Sequence, residues 1–244
     1  MSVYLVGAGP GDADLLTVRA VEILGRADVV VHDRLVGDDV LKLIRPRAAR
    51  IDVGKKPGAS SSQSGINELL IELAGRYDTV VRLKGGDPFI FGRGGEEAVA
   101  LSRCGIEVHV VPGISSAFAA PLLAGITVTH RGASQGVCVV TATAEGGSAV
   151  DFEPLALANI TLVVLMGVAQ RSTISSQLRR GGLDPSTAVA VVESASRVGQ
   201  RVTRARLDEL ATLDVYAPAV IVVGPVAALD LGVVTQLGDL VGAS

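Results

Sequence analysis

Through the first half of the chain, short apolar runs alternate with longer amphipathic stretches. Residues 3–6, 29–31, 50–53 and 79–83 have the length and β-branched content of strands, while 15–24, 40–44 and 66–73 show the spacing of helices with one buried stripe. Strands separated by helices predict a parallel sheet covered on both faces. A further strand over 107–111 stops at Pro112-Gly113, and the small-residue run 115–124 reads as a tightly packed helix. Polar and glycine-rich residues 129–136 interrupt this pattern. Beyond them, 137–141, 162–165, 188–192, 200–204 and 220–223 supply a second sheet. The expectation is an α/β protein of two domains, 1–131 and 132–244, each with a mostly parallel sheet and with a ligand cleft between them.

Composition narrows the function classes. Hydrophobic residues make up 48% of the 244 and aromatic residues only 3%, so the cores are aliphatic. A net charge of -3 leaves no basic face for phosphate neutralisation, which argues against nucleic acid as a partner. No apolar stretch has the length of a membrane span, and the chain opens on a strand without a basic, apolar leader, so a soluble cytoplasmic protein with no membrane partner is expected. Cys104 and Cys138 stand alone and His32, His109 and His130 are scattered, which predicts reduced thiols and no metal.

The densest chemistry lies in residues 81–97, where five glycines, a proline and six charges sit in and just behind an apolar run. A buried strand feeding a glycine-rich turn and then a helix opened by Glu96-Glu97 describes a ligand loop, with Asp87, Arg93 and Glu96 at the sheet edge. Gly7-Ala8-Gly9-Pro10-Gly11-Asp12 follows the first strand like a dinucleotide fingerprint. The match fails, because Pro10 removes an amide donor and the last glycine position is an aspartate that repels a diphosphate. Asp33 closes the second strand, where it suits a general base, a helix cap or a partner for Arg34. Lys55, past the third strand, suits either a carboxylate anchor or a solvated loop lysine. Ser115 and Ser116 cap a helix or bind a ligand's polar atoms, Arg131 falls at the expected domain junction, and Met166 reads by default as core.

Together, residues 7–12, 81–97, Val111-Pro112-Gly113-Ile114, Thr129-His130-Arg131 and Leu165-Met166-Gly167 resemble the tetrapyrrole methylase family, and within it the uroporphyrinogen-III C-methyltransferases. The resemblance implies the tetrapyrrole methylase fold and a homodimer binding S-adenosylmethionine, with S-adenosylhomocysteine as product. It implies methylation of uroporphyrinogen III at C2 and C7, giving precorrin-2 via precorrin-1. With no dehydrogenase and chelatase module among these residues, it implies that the reaction stops there. Carried over by position, cofactor contacts fall on Pro10, Gly85, Gly86, Asp87, Ile90, Ser115, Ser116, Met166, Ala195 and Ala219. Asp33 matches the proton acceptor and Lys55 the proton donor, while Arg93, Glu96 and Arg131 match residues that handle the porphyrinogen and its proton loss.

Overall fold

The protein, a computed structural model, is described over residues 2–54, 62–143, 150–229 and 231. It divides into two compact units, Met1–Ser115 and Ser116–Ser244.

The first unit is built on β1 (Ser2–Gly7), β2 (Val29–His32), β3 (Ala49–Asp52), β4 (Thr79–Lys84) and β5 (Glu107–Val111), in sheet order β3-β2-β4-β1-β5 with every pair parallel. The intervening helices are α1 (Val18–Leu24), α2 (Asp38–Lys42), α3 (Gln63–Ala74) and α4 (Gly94–Arg103). Alternate side chains of each strand point to opposite faces. Val6, Val30, Val81 and Leu83 accordingly meet Ala20, Leu24, Val40 and Ile44 of α1, α2 and their surroundings, whereas Val3, Leu5, Val31 and Val80 meet Ile66, Leu70, Leu73 and Leu101 of α3 and α4. The stretch expected as one helix over 15–24 is divided. Asp12 caps a single 3-10 turn, Ala13–Leu15, and Thr17 then caps α1 by accepting a hydrogen bond from the Ala20 amide. Because all five strands run the same way, their carboxyl ends and the loops that follow share one edge.

The second unit holds α5 (Ser116–Leu123), α6 (Arg171–Arg180) and β6 (Val137–Thr141), β7 (Thr161–Leu165), β8 (Ala188–Glu193), β9 (Arg201–Arg206) and β10 (Ala219–Val223), in sheet order β6-β7-β10-β8-β9. The mostly parallel character expected of both sheets belongs to the first. Here only β6–β7 is parallel, and β10 runs antiparallel to both β7 and β8, as β9 does to β8. The segment 194–200 that joins β8 to β9 is too short for a crossover and turns the chain straight back. Helix α5, expected to close the first domain, packs instead on this second sheet. Its Ala117 and Ala120 lie with Val163, Val192 and Val220, while Ile174 and Leu178 of α6 cover the other face. Among the described residues, no helix is long and apolar enough to cross a membrane, and no group of three His, Cys, Asp or Glu is placed to hold a metal ion.

Candidate functional site

At the carboxyl edge of the first sheet, three strand ends meet through glycine. A Cβ added at Gly7 would lie 2.5 Å from the Gly113 Cα, and one at Gly113 would lie 2.2 Å from the Gly86 carbonyl oxygen. Gly9 and Gly86, with φ of 67° and 68°, exchange backbone hydrogen bonds across this junction, from Gly86 N to Gly9 O at 2.7 Å and from Gly9 N to Gly86 O at 3.2 Å. Asp87 locks the arrangement. Its Oδ1 accepts from the Phe89 amide at 2.8 Å and its Oδ2 from the Gly113 amide at 3.1 Å, so the carboxylate ties the turn after β4 to the end of β5.

The rest of that turn carries exposed apolar side chains, Phe89, Ile90 and Phe91, and ends at Arg93. Arg93 holds a left-handed backbone, φ 59° and ψ 13°, at the N-terminus of α4. Its guanidinium donates twice to Glu96, Nε to Oε1 at 2.9 Å and Nη2 to Oε2 at 2.7 Å. The hydrogen bond from Arg93 holds the Glu96 carboxyl below its ordinary range. Two of the residues expected to handle the porphyrinogen and its proton loss are thus paired with each other. Pro10 is partly exposed in the loop after β1, where the Asp12 carboxylate accepts from the Asp14 amide, which accounts for an acid at the end of the failed fingerprint.

Asp33 follows β2, and neither Arg34 nor a helix cap holds its carboxylate. Arg82 Nη2 donates to Asp33 Oδ1 at 2.5 Å from within the sheet. Arg82 is 2% exposed and also donates through Nε to Glu97 Oε1 at 3.0 Å and through Nη1 to the carbonyls of Leu83 and Val31. Lys84 Nζ, at 3.0 Å, and Gln63 Nε2, at 3.2 Å, donate to the same Glu97 oxygen. Burial first, then the Arg82 guanidinium, push the Lys84 ammonium below its ordinary value, against the pull of Glu97 and Asp33. Sequence reasoning passed over Arg82, Lys84 and Glu97 as site residues. The signal was present, since a cation between Val81 and Leu83 in a strand buried on both faces requires a buried partner.

Gly85 and Ser115 complete the first unit's share of expected contacts, and Lys55 lies outside the described residues. In the second unit, Ser116 opens α5. Met166 does not enter the core as its sequence context suggested. It is 50% exposed just past β7, because its left-handed backbone, φ 55°, turns the chain out of the sheet, and its carbonyl accepts from Thr143 Oγ1. Ala195 sits between two left-handed residues, Ser194 and Ser196, and Ala219 opens β10 opposite Glu193. Arg131 is exposed in a turn closed by paired backbone hydrogen bonds between His130 and Ser134.

A profile of the Tetrapyrrole (Corrin/Porphyrin) Methylases matches residues 2–211. The chain belongs to this family. The siroheme synthase of Salmonella typhi is 46% identical to this methylase over 230 residues, which are 93% of the chain and 50% of that protein. The chain thus spans about half the length of the curated relatives it matches. Among solved structures, uroporphyrin-III C-methyl transferase from Thermus thermophilus, complexed with S-adenyl homocysteine, is 45% identical, with a TM-score of 0.83 over 93% of this chain and 98% of that one. A cobalt precorrin-4 methyltransferase of cobalamin biosynthesis is 27% identical, with a TM-score of 0.80 over 91% of this chain and 94% of that one.

Proposed function

We propose that this methylase transfers two methyl groups from S-adenosylmethionine to uroporphyrinogen III, at C2 and C7, forming precorrin-2 by way of precorrin-1. The observation that carries the reading is the likeness to uroporphyrin-III C-methyl transferase, 45% identical across 98% of that protein.

The residues fit a cofactor that bears a sulfonium and no phosphate. After β1 the loop offers Pro10, which has no amide hydrogen, and the Asp12 carboxylate, both of which disfavour a diphosphate and cost a sulfonium nothing. Carried over by position, Pro10, Gly85, Gly86, Asp87, Ile90, Ser115, Ser116, Met166, Ala195 and Ala219 would hold it, mostly through backbone. When bound, the cofactor supplies an electrophilic methyl group. The protein's own work is then to align the pyrrole carbon, exclude water and accept the proton that the methylated ring loses.

Asp33 suits that last role, since its carboxylate is oriented from behind by Arg82 at the carboxyl edge of the sheet. Arg93 and Arg131 suit the substrate's carboxylates, which arginine grips with two parallel hydrogen bonds, and the Glu96 pair presets the Arg93 fork before substrate arrives. In the same reading Lys55 serves as proton donor, and the enzyme is a cytoplasmic homodimer, an assembly that sedimentation velocity checks. The deciding experiment is anaerobic incubation of the purified chain with uroporphyrinogen III and methyl-labelled S-adenosylmethionine. A product heavier by two methyl groups is expected, and cofactor binding without transfer overturns the reading.

A further inference from the structure

Glu97 lies wholly inside the first unit, 0% exposed, and its Oε1 gathers Arg82 Nε, Lys84 Nζ and Gln63 Nε2. Each contact constrains the next. With Nε on Glu97 and Nη1 on the Leu83 and Val31 carbonyls, the planar guanidinium of Arg82 has one orientation left, and in it Nη2 meets Asp33. Four charges so placed are a poor device for stability alone, because burying ion pairs forfeits hydration that hydrocarbon of the same volume would never need. The chain of contacts instead runs from α4, through the middle strand of the sheet, to the one carboxylate at its carboxyl edge that the guanidinium reaches.

We infer that Glu97 is a positioning residue for proton removal, fixing Asp33 through Arg82. The inference rests on the reading of Asp33 as proton acceptor. In that step the C–H bond of the methylated tetrapyrrole breaks and an O–H bond forms on Asp33. The electron pair stays in the ring and cancels the positive charge left by methyl addition. A carboxylate free to swing would meet that hydrogen less often, although its charge is unchanged.

The test compares Glu97→Gln, Asp33→Asn and the two combined in the anaerobic methyl-transfer assay. Glu97→Gln is expected to lower kcat about 10- to 100-fold, with KM for S-adenosylmethionine within about twofold of wild type. In the Asp33→Asn background it is expected to cost less than about twofold more, since the group it positions is already gone. A readout that turnover does not touch is the hydrogen exchange of the Arg82 Nε–H, slow in the native protein and faster in Glu97→Gln. Should the single variant not fold, K84M/E97M removes the buried pair as a unit and is expected to show the same loss, again absorbed by Asp33→Asn. A multiplicative loss in the double variant, or unchanged kcat in Glu97→Gln, overturns the role of Glu97. Near-normal turnover in Asp33→Asn overturns the assignment of Asp33 and the inference with it.

Discussion

Arg93 offers a way to separate what the site does from what holds it together. At φ 59° it occupies a conformation that costs an L-residue about 1–2 kcal/mol, and it makes no side-chain cap to α4 in return. Its pair with Glu96 is exposed, 36% and 55%, where such a contact contributes only about 0–1 kcal/mol. Arg93→Ala discards the pair and keeps the strained backbone, whereas Arg93→Gly discards the pair and relieves the strain. After subtracting the roughly 0.5–1 kcal/mol of extra freedom glycine gains in the unfolded chain, Arg93→Gly should be the more stable of the two by about 0.5–1 kcal/mol. Urea unfolding resolves this as a midpoint higher by a few tenths molar, on the order of the difference divided by m. If Arg93 grips substrate carboxylates, both variants lose methyl transfer alike, and the gain in stability accompanies a loss of function. Equal midpoints for the two variants would refute stored strain, and Arg93→Gly with native turnover would refute the contact with substrate.

The two glycines that open α4 right after Arg93 should respond with opposite signs. A Cβ at Gly94 would lie 2.4 Å from the Pro88 carbonyl oxygen, so Gly94→Ala is expected to destabilise by about 1–3 kcal/mol, whereas nothing lies within 4 Å of one at Gly95, and Gly95→Ala should stabilise by up to about 1 kcal/mol; paired urea titrations check both. Asp87→Asn leaves one acceptor for two amides, from Phe89 and Gly113, and should cost about 1–3 kcal/mol and weaken S-adenosylhomocysteine binding measured by calorimetry; unchanged stability counts against the clasp. Lys84 has a folded-state pKa below its unfolded 10.5, so between the two values the unfolded chain binds more protons and stability rises with pH. Replacing Lys84 with Met removes that rise, so the stability difference between wild type and variant should grow in favour of wild type as pH approaches 10.5; a difference independent of pH would show the ammonium to be unperturbed.

The first sheet was legible because parallel strands buried on both faces are nearly continuous apolar runs, as residues 29–31 are and as 79–83 are but for Thr79 and Arg82. Strand direction in the second sheet was not, since apolar content is the same whichever way a strand runs. The short 194–200 connection, which forces β9 back along β8, was the one local clue. Met166 was misread as core because an apolar side chain after a strand is usually buried, and nothing local announces the positive φ that turns it outward. Glu97 escaped for a different reason. Its partners Arg82 and Lys84 are 15 and 13 residues away, on a strand rather than on its own helix, so their pairing follows from packing and not from local spacing. The failed dinucleotide fingerprint was an informative local pattern, because its departure at Asp12 has a structural cause in the cap on the 3-10 turn and its retained Gly9 has one in the bridge to Gly86.

That bridge bears on how glycine-rich edges should be read. Gly7, Gly86 and Gly113 are far apart in the chain and belong to the ends of three neighbouring strands; a side chain at Gly7 or Gly113 would fall where another backbone lies, and Gly86 turns with a left-handed φ of 68°. In a phosphate-binding loop the same absence opens main-chain amides to a diphosphate. Here the Gly9 and Gly86 amides are spent on each other and the Gly113 amide on Asp87, so three of the donors a phosphate would need are already engaged. An edge of this kind can still meet a ligand through carbonyls and apolar side chains such as Ile90. That chemistry suits an adenosyl group bearing a positive charge and disfavours a dinucleotide, independently of any likeness to relatives.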